Sequence, residues 1–64
     1  MKIKWTNKLS GEVGYVKVIH KKERYFENTF DVAEAKKFTK TTLAKALEQL
    51  EEFCADNTYE AVND

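Results

Sequence analysis

A chain of 64 residues and 7.5 kDa has room for one domain, and at this size folding hides only about 60% of the unfolded chain's surface. Apolar residues at 42% and charged residues at 34% fit a small soluble globule and leave no run of about 18 apolar residues to span a membrane. A single cysteine, Cys54, excludes an internal disulfide and any multi-cysteine zinc site, and two glycines without a proline are too few for a phosphate-cradling loop.

Lys2 and Lys4 stand near the start, but no apolar segment follows them, so this is not read as a secretion signal and a cytoplasmic location is expected. Ile3 and Trp5 alternate with Lys2, Lys4 and Thr6, which predicts a strand over residues 2–6 with one buried face. Residues 7–12 carry turn chemistry, with Gly11 able to take a positive φ. Residues 13–20 are rich in β-branched and aromatic side chains and predict the strongest strand. Lys21–Arg24 is a charged hairpin loop without glycine, and residues 25–30 return antiparallel as a third strand.

Asp31 and Glu34 have capping-box spacing, which predicts a short helix or turn over residues 32–37 with Val32, Ala35 and Phe38 inward. A longer helix is expected to start between Thr39 and Thr42. Leu43, Leu47, Leu50 and Cys54 fall on one stripe, with Ala46 and Phe53 beside it. About 15 residues would make it roughly 22 Å long. Asn57 is expected to stop the helix in a left-handed conformation, and residues 58–62 either add a terminal strand or fray.

These faces are satisfied together by an α+β fold of β-β-β-α-β order. A three- or four-stranded, mainly antiparallel sheet carries one amphipathic helix across one face, as a single domain over residues 1–64. Ile3, Trp5, Val16, Val18, Phe26 and Phe30 would meet Leu43, Leu47, Leu50 and Phe53. Alternation then places Lys2, Lys4, Tyr15, Lys17, Ile19 and Tyr25 on the outer face.

The charges cancel in sum but not along the chain. Residues 1–45 hold eleven basic residues against five acidic ones, a net +6, whereas residues 46–64 hold six acids and no base, a net −6. Either the two halves neutralise each other across the surface or two faces of opposite sign exist and one of them binds a partner. The acidic set is Glu48, Glu51, Glu52 and Asp56. Its place near the end of the helix, with Lys40 and Lys45 near the start, opposes the helix dipole at about 0.3–1 kcal/mol per exposed charge. Glu48 and Glu52 at i, i+4 repel each other as well. Such a face would suit the basic groove of a nucleic-acid-handling protein, imitating a row of phosphates. The alternative partner is nucleic acid itself, with Tyr15 and Tyr25 stacking on unpaired bases while Lys2, Lys4 and Lys17 meet phosphates. A homodimer joined through an exposed strand edge is a third expectation.

Catalysis is not expected. His20 is the only histidine and ends a strand beside two lysines. Cys54 continues an apolar stripe, where a thiol is inert. Glu48, Glu51 and Glu52 read as a solvated face before they read as a metal site. No cofactor, metal or membrane partner is anticipated.

The stretch Gly14-Tyr15-Val16, then Asn28-Thr29-Phe30-Asp31, then Glu34-Ala35-Lys36-Lys37-Phe38 and a threonine-led helix resembles small uncharacterised proteins of phages and prophages of Gram-positive bacteria. The similarity covers residues 13–50 and rests on alternation plus the Ala-Lys-Lys-Phe run. It implies a phage-encoded protein of the host cytoplasm. Small phage proteins of this sort commonly bind and inhibit a host protein, CRISPR nucleases included, and the resemblance assigns no functional residue.

Overall fold

The computed structural model describes residues 1–63, so Asp64, last of the acids, lies outside it. Strands β1 (Lys2–Asn7), β2 (Val13–His20), β3 (Tyr25–Thr29) and β4 (Asn57–Val62) form one antiparallel sheet in the order β3-β2-β1-β4. A 3₁₀ turn, Val32–Glu34, and helix α1, Lys40–Phe53, lie between β3 and β4. The α+β class agrees with the sequence pattern, and of the two outcomes left open for residues 58–62 the chain adopts the strand.

The alternation of β1 is used as its residue types dictate. Ile3 and Trp5 face the helix, opposite Ala61 and Tyr59 on β4, and Trp5 also lies opposite Gly14 on β2. Asn7 makes the following turn, its side-chain oxygen accepting from the N–H groups of Leu9 (3.0 Å) and Ser10 (2.9 Å). Gly11 supplies the positive φ of 74° that this turn requires.

Strand β2 does not keep its alternation. Its register against β3 shifts between Val16, opposite Asn28, and Val18, opposite Glu27, so Lys17 is an extra residue in a β-bulge. One inserted residue exchanges the two faces beyond it. Ile19, expected outside, therefore packs against the core opposite Phe26, while Val18, expected inside, is 36% exposed. Phe30 also departs from the expected core. It is 64% exposed and its ring lies tilted against that of Trp5, centroids 6.1 Å apart. Val32, expected inward, is exposed, whereas Ala35 and Phe38 are buried as anticipated.

The segment between the 3₁₀ turn and α1 is bonded both to β2 and to the residue before β1. Pairing of β1 with β2 ends at Lys4 and Tyr15, and the chain after the 3₁₀ turn enters the opening beyond. The N–H of Lys36 donates to the Val16 carbonyl at 3.0 Å. Phe38 exchanges backbone hydrogen bonds with Met1, giving its N–H to the Met1 carbonyl and accepting from the Met1 ammonium. Asp31 caps the 3₁₀ turn by accepting from the Ala33 N–H at 2.9 Å. Glu34 does not close the box, because its carboxylate accepts from the Thr29 hydroxyl at 3.2 Å instead.

Helix α1 begins at a full capping box. The Thr39 hydroxyl accepts from the Thr42 N–H and the Thr42 hydroxyl from the Thr39 N–H, a pairing worth about 1 kcal/mol. Its apolar stripe brings Ala46 and Leu50 into full burial beside Ile3, Val16 and Phe38, with Leu43 and Leu47 at the margin. The helix ends at Cys54 in extended conformation. Asn57 is not the left-handed stop that was expected, since positive φ occurs outside glycine only at Arg24 among the described residues. Instead it is buried at the start of β4, accepting from the Asn7 amide at 3.2 Å and donating to the Tyr59 hydroxyl at 3.3 Å.

Tyr59 closes this corner by donating its hydroxyl proton to the Cys54 carbonyl at 2.8 Å. Burial pushes its pKa up to about 12, with the Asn57 amide opposing the rise and Cys54 and Asp56 adding to it. The unfolded tyrosine ionises near pH 10. A raised folded value means that the stabilisation is complete below about pH 10 and is lost between about pH 10 and 12. Denaturant titrations of the protein and of Tyr59→Phe across that window should converge as pH rises. A stability gap that stays constant would show that Tyr59 is not the group responsible.

Candidate functional site

The acidic residues lie on the outward side of α1 and in the turn that follows. Glu48, Glu51, Glu52 and Asp56 are all exposed. Glu52 is answered: Arg24 donates to it at 2.9 Å, and the guanidinium lies 5.2 Å from the centroid of the Phe53 ring. Arg24 reaches there from the β2–β3 hairpin, where it takes φ of 62° in place of the glycine that such a loop favours. Among the described residues, no cation lies within 4 Å of the carboxylates of Glu48, Glu51 or Asp56. The first turn of α1 carries no acid and the last turn no base, so the side chains add to the charge of the helix dipole at both ends.

The outer sheet face is less open than alternation implied. Lys2 was expected there as a free cation, yet it is only 7% exposed and donates its ammonium to the Val32 carbonyl at 2.6 Å. A lysine can do this because its four-carbon stem packs like an apolar side chain while its head finds an acceptor. Lys4 lies 3.7 Å from Glu60 on the adjacent strand, and Lys17, pushed out by the bulge, lies 3.9 Å from Glu34. Tyr25 stacks on His20, centroids 4.5 Å apart, and His20 in turn meets Glu27 at 2.5 Å. Tyr15 is half-buried, with its backbone paired to both Lys4 and Thr29. The structure thus leaves the acidic set on one surface but divides the basic set.

A second feature escaped the sequence reading. A cleft of about 510 Å³ opens between the start of α1, the segment before it and the β2–β3 hairpin. Lys21, Lys36, Lys37 and Lys45 line it, and among the described residues no carboxylate does. These residues come from three separate stretches, so no local spacing announces the cluster. The Lys36-Lys37 run beside Phe38 was the one visible sign. Together with the acids at the other end, the cleft makes charge run along the axis of α1, positive at its start and negative at its end.

Among the described residues, no three His, Cys, Asp or Glu side chains gather where they could hold a metal ion, and no helix is long and apolar enough to cross a membrane. Cys54 sits half-buried at the helix end, its sulfur accepting from the Asn57 amide at 3.7 Å. No protein-family model matches the chain, and neither curated proteins nor solved structures provide a match.

Proposed function

We propose that this protein is a non-catalytic interaction module that occupies a partner's surface with the acidic half of α1. The observation that carries the reading is the lack, among the described residues, of any ion-pairing cation around Glu48, Glu51 and Asp56, toward the helix end where the backbone already presents negative charge. A small domain keeps a local electrostatic cost most readily where the arrangement serves something else. The complementary partner is a protein with a basic groove, as found where nucleic acid is handled, and the acidic row takes the place of phosphates there. With the resemblance to small phage proteins, the narrower form of the proposal is an inhibitor of a host nucleic-acid-handling protein, acting in the host cytoplasm.

Nucleic-acid binding on the outer sheet face is the weaker alternative, because Lys2, Lys4 and Lys17 each already meet an acceptor of this chain. The test combines Glu48→Gln, Glu51→Gln and Asp56→Asn. Folding stability is expected to stay level or rise by a few tenths of a kcal/mol per charge removed. Capture of the partner from host lysate should fall sharply, and duplex DNA should displace it from the unaltered protein. Undiminished capture by the triple variant would refute the acidic-face reading.

A further inference from the structure

We propose that the lysine-lined cleft is a binding site for a phosphate monoester carried on an apolar or planar body. Ile19, Phe38 and Ala46 contribute apolar surface to the cleft, and Phe38 and Ala46 are themselves buried, so they form its floor. Ile19 reaches this position only because the bulge at Lys17 turns it inward. Above the floor the charged side chains among the described residues are all lysines. In a chain with as many acids as bases, lysines from three separate stretches around one opening, with no carboxylate among its described lining residues, concentrate positive potential there.

Two of those lysines, Lys21 from the hairpin and Lys45 from α1, have no carboxylate within 4 Å among the described residues. Two unpaired ammonium groups from facing elements balance a dianion better than a carboxylate or a phosphodiester, each of which brings one charge. Lysine binds phosphate as a point charge and tolerates variable approach. Threonine hydroxyls of Thr39 and Thr42 are already spent on the capping box, so the charge that attracts the ligand comes from side-chain ammonium groups, with Thr41 also lining the cleft. Lys36 rests 5.9 Å from the centroid of the Phe38 ring, which keeps its charge close to the floor. The volume falls within the few hundred Å³ typical of small-molecule sites, large enough for a nucleotide-sized body. None of these residues belongs to the acidic surface, so the site stands or falls independently of the function proposed above.

Adenosine monophosphate is the probe, titrated into the full chain with backbone amide NMR shifts as readout. Saturable shifts should concentrate at Ile19, Lys21 and the first turns of α1, and weaken steeply between about 50 and 200 mM salt. Lys21→Gln with Lys45→Gln should weaken binding by about tenfold or more, while Lys4→Gln, outside the cleft, should leave it unchanged. Each single variant is measured alongside, so the test survives a poorly folded double variant. Adenosine alone or inorganic phosphate alone should bind more weakly than the two joined. The proposal is overturned by shifts that do not saturate, by equal affinity in the double variant, or by adenosine or phosphate matching the nucleotide. Tighter binding of an oligothymidine that lacks terminal phosphate would also overturn it, because that strand offers only phosphodiesters.

Discussion

Leu50→Ala is expected to bring the protein to the edge of unfolding. Leu50 is completely buried and sits where α1 meets Ile3 and Val16, both also without exposure. Truncating a leucine in such a place removes its transfer free energy and leaves a cavity, a combined loss of about 2–5 kcal/mol. At about 0.05–0.15 kcal/mol per residue, a chain of this length has on the order of 3–10 kcal/mol in total. The variant should therefore show a urea midpoint lowered by a third or more, or no folded baseline at all. Leu47→Ala, at the half-buried margin of the same stripe, should lose distinctly less. Equal losses at both positions would mean that the helix is not sealed over the sheet at Leu50.

The second large effect belongs to Gly14→Ala. Gly14 takes no positive φ, so its backbone would accept a side chain. What forbids one is Trp5 on the neighbouring strand. A methyl group at position 14 would lie 2.5 Å from Trp5 Cζ2 and 2.6 Å from Cε2, far inside van der Waals contact, against a ring that is itself buried. Overpacking of this kind costs about 1–3 kcal/mol when neighbours can shift, and the upper part of that range is expected because the obstacle is a rigid ring. Trp5 is the chain's only tryptophan, so its fluorescence reports the displacement directly. Trp5→Leu should absorb the added methyl, and a double-mutant cycle should show favourable coupling between the two changes. The indole N–H of Trp5 is buried without a hydrogen-bond partner among the described residues, so replacing the ring also removes an unsatisfied donor. Strict additivity would show that the two positions do not press on each other.

Much of the architecture was legible because local chemistry and global fold agree. The apolar stripe of α1, the Gly11 turn and the alternation of Ile3 and Trp5 each have one cheap solution, and the chain adopts it, whereas the threonines from Thr39 to Thr42 offered several starts to the helix and Thr39 takes the cap. Legibility fails where a residue type permits two. Val18 and Ile19 are both apolar and β-branched, so neither declares which of them faces the core, and the bulge at Lys17 decides. The adjacent pair of apolar residues was itself a broken alternation and signalled an irregular strand. Lys2 reads as surface by charge and is buried by its stem. Phe30 reads as core by type, yet it follows the end of β3, stays largely exposed and meets the tilted ring of Trp5. The acidic surface was visible as a run in the chain. The lysine cleft was not, because Lys21, Lys36 and Lys45 are brought together only by tertiary structure.

The place of β1 in the middle of the sheet has a consequence for synthesis on the ribosome. Its neighbour on one side, β4, is the last element of the described chain, with Lys2 facing Val62 across nearly the whole sequence. Until β4 emerges, β1 waits with one flank bare, and the tryptophan it carries has only part of its shelter. The native sheet therefore waits for β4 to leave the ribosome, because the contacts most distant in sequence close slowly.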